Sequence, residues 1–295
     1  MIISKNIIGN TQACYTNKTS DEQLILIKER GALMKYYVVS DVHGYYKCLM
    51  TALEKSGFFA EKEPHKLVVC GDLLDRGDEA NALIDFMVKL LEDDKLIYIL
   101  GNHEEELIKC MQEIADGDVY EIACGMSHHY TNKTWDSLLQ IAKMDELNAY
   151  NEPRELLRRV RRSPFYKKLL PTCIDYYETP NYIFTHGWIP CSEEGRRPCV
   201  DFGYDPNWRD ADEMGWYAAR WYNGISLACR YKITEPGKTI VCGHWHTSYG
   251  HSQINESCSE WGEDADFSPF VSEGIIAIDA CTARSKKVNC IVIED

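Results

Sequence analysis

No stretch of this 295-residue sequence approaches the roughly 18 consecutive apolar residues of a membrane-spanning helix, and the early isoleucines are interrupted by Lys5 and Asn6. Neither a membrane partner nor a secretory signal is therefore expected, and a cytoplasmic location follows. Basic charge is scarce. Against 46 Asp and Glu stand 32 Lys and Arg, a formal net charge of −14 that repels phosphate backbones and argues against a nucleic-acid polymer as partner. Cysteine is plentiful at 13, but the number is odd and no repeated Cys-x-x-Cys pair occurs. That pattern indicates buried reduced thiols rather than a disulfide framework or structural zinc. The rest is ordinary globular composition, 45% hydrophobic and 26% charged.

Residues 1–33 are polar and mixed, a leader of uncertain role with one helix candidate from Asp21 to Arg30. A β-rich run opens at Met34, so a single domain is expected over residues 34–295, with the leader an appendage or a mis-assigned start. Strands are expected at 36–39, 67–70, 96–100, 182–184, 239–241, 274–278 and 289–293. Leu49 and Leu53, then Leu83, Ile84, Met87, Leu90 and Leu91, have helical spacing between the first three. Such alternation implies an α/β (α+β) fold with a partly parallel sheet, covering helices, and ligands beyond the carboxyl ends of the strands. Residues 105–180 read as a mainly helical insert, and the short polar connection Arg284–Lys287 suggests a hairpin between the last two strands.

Five polar motifs punctuate this pattern: Ser40-Asp41-Val42-His43-Gly44, Gly71-Asp72-Leu73-Leu74-Asp75-Arg76-Gly77, Gly101-Asn102-His103-Glu104, Thr185-His186-Gly187 and Gly243-His244-Trp245-His246. The first three are about thirty residues apart, the length of one strand–helix–strand unit. Gly-Asp and Gly-Asn often do no more than end a strand in a turn. Carboxylates, a carboxamide and imidazoles in this order, however, are what a two-metal site for attack on a phosphate ester requires. Asp41 and His43, two apart and on one side of an extended chain, can hold one metal. Asp72 is the natural bridge, Asn102 offers a neutral oxygen, and His186 and His244 complete a second metal.

These motifs resemble the calcineurin-like metallophosphoesterases and, through Asp75-Arg76, the phosphoprotein phosphatase (PPP) family within them, a group that includes the symmetrical diadenosine tetraphosphate hydrolases. The resemblance spans roughly residues 34–295. It implies two mixed β-sheets packed as a sandwich and flanked by helices. It assigns Asp41, His43 and Asp72 to a first metal and Asp72, Asn102, His186 and His244 to a second. It further implies direct attack on phosphorus by a hydroxide shared between the ions, with His103 protonating the leaving oxygen, Asp75 orienting that imidazole and Arg76 gripping phosphate oxygens. A second arginine is expected near Trp208–Trp221, Arg220 rather than Arg209. The cofactor expected from the resemblance is a pair of divalent ions, manganese by default, with iron or zinc also compatible. His246, an extra histidine in the last motif, is either a further ligand or a supporting residue. Trp188, where a second glycine is usual, has to be housed near the site.

The expected substrate is a phosphorylated protein, carrying phosphoserine or phosphothreonine, or a small phosphoester. The enzymatic alternative is a dinucleoside tetraphosphate, and the non-enzymatic one a phospho-ligand-binding scaffold. Glu104 and Glu105 read as acids at a helix start, and His128, His129 and His251 as surface or insert residues. The basic run Arg154–Lys168 reads as a helix with Leu156, Leu157 and Val160 inside, or else as a dock for phosphate groups. Trp208, Trp216 and Trp221 are packing residues or a pocket wall.

Overall fold

The β-branched runs and the helical spacings alternate as expected in the computed structural model, which describes residues 34–196 and 199–295. The helix candidate at 21–30 lies outside the described residues. Strand β1 (Lys35–Val39), helix α1 (Tyr46–Ser56), β2 (His65–Cys70), α2 (Ala80–Glu92) and β3 (Leu96–Ile99) come first. The insert follows as α3 (Asn102–Asp116), α4 (Val119–Ala123), α5 (His128–Thr131), α6 (Thr134–Ala142), α7 (Glu146–Asn151) and α8 (Pro153–Arg162). Then come β4 (Tyr176–Glu178), β5 (Tyr182–Thr185), β6 (Cys191–Arg196), β7 (Cys199–Tyr204), α9 (Glu213–Arg220), α10 (Gly224–Cys229), β8 (Thr239–Cys242), α11 (Thr247–Gln253), β9 (Phe270–Ser272), β10 (Ile275–Ala277), α12 (Thr282–Ser285) and β11 (Ile291–Glu294).

Two mixed sheets result. One has the order β11-β1-β2-β3, with β1, β2 and β3 parallel and β11 antiparallel to β1. The other has the order β4-β5-β8-β10-β9, parallel at its centre and antiparallel at both edges. Because side chains alternate along a strand, each strand of the first sheet serves two cores. Tyr36, Val38, Val68, Cys70, Ile97 and Ile99 face the other sheet and pack with Phe184, Val241 and Ile278. Their neighbours Tyr37, Val39, Leu67, Val69 and Tyr98 pack instead with Leu49 and Leu53 of α1 and Leu83, Ile84 and Met87 of α2. The outer face of the second sheet carries Trp188, Trp208, Trp216 and Ile225. This is the sandwich of two mixed sheets flanked by helices that the motifs imply.

The expected final hairpin does not form. β10 lies in the second sheet beside β8, whereas β11 crosses to pair with β1 in the first, with α12 in the connection. A short polar segment between two apolar runs is equally compatible with a crossover, and pairing partners are chosen by long-range packing. The short edge strands β4 and β9 and the ribbon β6–β7 also lay outside the expected set. The basic helix α8 buries Leu156, Leu157 and Val160, and two of its arginines, Arg158 and Arg159, pair with Glu155 on the same helix. Among the described residues eleven cysteines are free, and no helix is long and apolar enough to cross a membrane.

Candidate metal centre

The parallel strands deliver their carboxyl ends to one edge, where the chain turns sharply. Asp41 (φ 50°), His43 (51°), Asp72 (54°), Asp75 (71°), Arg76 (64°) and His244 (63°) all adopt left-handed backbone, at a cost of roughly 1 kcal/mol each for a residue with a Cβ. Local bonds hold these turns against the strain. The Asp41 N–H donates to Gly71 O at 3.2 Å, His43 N–H to Asp72 O at 3.0 Å and Gly44 N–H to Leu73 O at 2.8 Å. Glu104 is buried and accepts 2.9 Å bonds from the N–H groups of Gly101, Asp72 and Leu73, clasping the second motif to the third. Its role exceeds that of an acid at a helix start. The last motif docks just as tightly. The His244 N–H donates to Asp41 Oδ2 at 2.9 Å, and a Cβ at Gly243 would collide with the Ser40 hydroxyl and the Asp41 carboxylate.

Six of the expected ligands converge on one another. His43 Nε2 lies 3.8 Å from Asp41 Oδ1 and 3.6 Å from Asp72 Oδ2. Asp41 and His43 therefore meet through a left-handed turn, not through the extended chain expected from their spacing. His186 Nε2 lies 3.3 Å from Asp72 Oδ1 and 2.8 Å from Asn102 Oδ1, and His244 Nδ1 lies 2.9 Å from the same Asn102 oxygen. The outer nitrogen of each ring has its own acceptor: His43 Nδ1 is 3.0 Å from Leu74 O, His186 Nδ1 is 2.8 Å from Cys70 O, and His244 bonds the backbone of Trp221. With those protons so placed, the inner nitrogens of His186 and His244 present lone pairs to an amide oxygen that also has only lone pairs. Acceptors facing acceptors, with no hydrogen between them, repel unless a cation lies among them. The donor set of imidazole nitrogen, carboxylate and amide oxygen thus fits divalent metal.

Electrostatics agree. Burial, reinforced by the Arg76 charge, holds His43 well below the ordinary imidazole range, and burial with neighbouring His186 brings His244 down to about 3. Both rings are neutral, as ligands must be. Burial opposes ionisation of Asp72, but neighbouring imidazoles, His186 and His103 foremost, outweigh it and lower its pKa. Burial, with Asp279 and Asp72 nearby, pushes Asp41 up. Asp279, in the loop after β10, was missed by motif reading. It is 6% exposed, and burial raises it to about 6 among Arg76, Asp72 and His103. Its only signal in the sequence is an acid directly after an apolar run, Ile275-Ile276-Ala277-Ile278-Asp279.

Beside this cluster His103 donates from Nδ1 to Asp75 Oδ2 at 2.7 Å, and its Nε2 is 3.2 Å from Arg76 Nη2 and 3.8 Å from Asp72 Oδ2. Burial disfavours the charged ring, yet Asp72 and the Asp75 bond prevail and its pKa is raised. Asp75 is gripped from the insert, where Thr134 and Ser137 of α6 donate to its carboxylate at 2.7 and 2.8 Å and its own N–H bonds Ser137 Oγ at 2.9 Å.

Arg220, the weaker candidate Arg209, and His246 make their contacts with other residues. Arg220 is buried and locked between Asp175, at 2.7 Å, and Glu105. Arg209 bridges Glu178 and Glu235 over the Trp208 ring. His246 faces Ser248 at 2.9 Å and packs on Trp261 at 4.1 Å between ring centroids. Two residues apart share a side only along extended chain, and here the left-handed His244 and the tight Trp245 N–H to Gly243 O bond, 2.7 Å, turn His246 away to start α11. Trp188 is housed in the core, fully buried against Gly224. Of the tryptophans, Trp208 and Trp216 are buried packing residues, while Trp221 is 42% exposed with its ring 5.9 Å from that of His244.

The family model for calcineurin-like phosphoesterases matches residues 34–248. An asymmetrical bis(5'-nucleosyl)-tetraphosphatase from Bacillus velezensis is 23% identical over 169 residues, 55% of this chain and 60% of that protein. A symmetrical bis(5'-nucleosyl)-tetraphosphatase from Methylococcus capsulatus is 30% identical over 126 residues, 43% of this chain and 40% of that protein. The chain thus spans no more than 60% of the length of these curated relatives. Among solved structures, a cold-active protein-tyrosine phosphatase from a Shewanella species covers 90% of this chain and 76% of its own, with a TM-score of 0.46 at 17% identity.

Proposed function

From a chain that belongs to the calcineurin-like phosphoesterase family, we propose a dinuclear metal-dependent hydrolase whose substrate is a nucleotide polyphosphate of the dinucleoside tetraphosphate kind. Asp41, His43 and Asp72 would hold one ion, and Asp72, Asn102, His186 and His244 the other. Bound there, a divalent pair supplies an acidified water and offsets phosphate charge. The observation that carries this assignment is the meeting of His186 Nε2 and His244 Nδ1 on the one Asn102 Oδ1, while the outer nitrogen of each ring has a backbone acceptor of its own.

The protein's own groups do the remaining work. Arg76, in reach of His103, presents a planar fork to phosphate oxygens. His103, its charge favoured by Asp72 and Asp75, gives a proton to the departing oxygen. Asp75, fixed by Thr134 and Ser137, holds the ring in one tautomer and one orientation. The His103–Asp75 arrangement speaks against a mere scaffold, which needs no acid.

Two observations support the nucleotide. The exposed Trp221 ring stands beside His244, where a base can stack. A cleft of about 820 Å³ reaches Glu105, two residues after His103, and is also lined by Ile108, Lys109, Tyr176 and Arg220, wide enough for a nucleoside arm. The PPP-like pair Asp75-Arg76 favours the second reading, phosphoserine or phosphothreonine in proteins. Turnover of diadenosine tetraphosphate, a phosphopeptide and an aryl phosphate, compared with manganese, iron and zinc in turn, separates the two. We expect the nucleotide to have the highest kcat/KM. A clear preference for the phosphopeptide overturns the nucleotide reading and leaves the hydrolase standing.

A further inference from the structure

A second group of metal-binding side chains lies in the insert. Glu106, His128 and His129 bring one carboxylate oxygen and two ring nitrogens within 4.8 Å of one another, from α3 and α5. His128 Nε2 contacts Glu106 Oε2 directly, and His129 Nδ1 is 3.7 Å from the same oxygen. The two rings are 4.0 Å apart between centroids, tilted by 41°. Lys109 stands 3.8 Å from the other oxygen, Oε1, and leaves Oε2 to the imidazoles.

His129 is the telling member. It is fully buried, and its Nδ1 has no hydrogen-bond partner, which is costly for a buried polar group unless something else satisfies it. Its Nε2 is 3.0 Å from Glu113 Oε2, two turns along the same face of α3 as Glu106, which places the ring proton on that side. Nδ1 is then left with a lone pair aimed at a carboxylate oxygen. A separation of 3.7 Å is within the span of two donors that each sit about 2 Å from a shared ion. A carboxylate behind the ring and a lone pair in front is the usual way a protein orients a metal-binding imidazole.

We propose that Glu106, His128 and His129 form a third divalent-metal site, separate from the catalytic pair and built for zinc or a similar borderline ion. Two imidazoles and one carboxylate suit such an ion better than magnesium or calcium. Half-exposed His128 leaves a side open for water and for metal entry. The ion would staple α5 to α3. Five residues after His129 the chain places Thr134, then Ser137, on Asp75, so the staple would steady the hydroxyls that orient His103. This inference does not rest on the reading of the catalytic pair.

The test is a metal count. Protein stripped with chelator and dialysed against Zn2+ is analysed by mass spectrometry for ions per chain, with Co2+ absorption as a coordination-sensitive second readout. His128→Asn changes a half-exposed side chain, and Glu106→Gln keeps the shape of the carboxylate it replaces. Both are expected to hold one ion fewer than the unaltered chain, to lose one component of the Co2+ spectrum, and to keep a normal far-ultraviolet circular dichroism spectrum. Loss of the remaining ions in Asp72→Asn, with one retained, assigns that one to the insert. Equal ion counts in the unaltered chain and both variants overturn the proposal, whatever becomes of the catalytic pair.

Discussion

The turns after β1, β2 and β3 and the helical insert that follows them both shape the candidate centre, but by different means. The turns carry their chemistry in short runs: Asp41 and His43 within three residues, Asp72, Asp75 and Arg76 within five. Their strained backbone is tied by neighbouring N–H groups and by the buried Glu104. The insert contributes two hydroxyls, Thr134 and Ser137, from one turn of α6, at a distance of about sixty residues from the Asp75 they hold. Most side chains that would touch an ion or a reacting atom come from turns rigid enough to aim them, with Asn102 and His103 added from the first turn of α3. Side chains that steady these come from a helix, where an i, i+3 pair shares a face.

The comparison breaks most severely if the turns can be altered without loss. Asp72→Asn removes the one carboxylate faced by His43, His103 and His186. The expected outcome is loss of both ions of the pair and of hydrolysis, measured by metal analysis beside turnover; full occupancy in this variant would contradict a bridging role. Next in size is His103→Ala. A lost general acid costs about 10²–10⁴-fold on esters with poor leaving groups, and metal content should not change. The sign of the pH effect follows from the raised pKa of His103. The ring keeps its proton above the usual imidazole range, so activity should fall on the alkaline side as that proton is lost. The alkaline limb should vanish in the alanine variant.

The insert should matter less. Thr134→Val with Ser137→Ala leaves Asp75 its bond to His103 but removes both hydroxyl donors. A drop of roughly 10-fold in kcat on poor leaving groups is expected, the lower range for partners that orient a working group. Activity equal to the unaltered protein would reduce the insert to a cover. The smallest effect is expected outside both regions, at Glu178 on β4, which pairs with Arg209 and Lys238. Its bond to Arg209 lowers its pKa to about 2 against burial, so its contribution is full above the ordinary carboxylate range and is lost as pH falls through about 2. Glu178→Gln should therefore cost roughly 1 kcal/mol at pH 7 and much less near pH 2, read from denaturant midpoints at the two pH values.

Motif reading picked out strand-end residues that the fold brings together because each sits where an apolar run stops, and a polar residue there has few structural reasons to be histidine or aspartate. It did not foresee the partners of Arg220, because an arginine beside an aromatic cluster pairs with whatever acids are near, here Glu105 and Asp175. Nor did it foresee that His246 meets Ser248 and Trp261, because the spacing rule assumes extended chain and the motif turns instead. Asp279 and Glu104 were overlooked or underrated for the opposite reason: single acids after apolar runs or at helix starts are common, and only their neighbours in space set them apart.

By itself the sequence determined the parallel strand core, the helices that cover it, and the set of side chains at the strand ends, because hydrophobic periodicity and turn chemistry are local. Tertiary structure alone decided that β10 and β11 join different sheets and that α6 clasps Asp75. It also decided that Glu106, His128 and His129 meet. Those outcomes depend on which surfaces find each other across dozens of residues, and no local pattern encodes that.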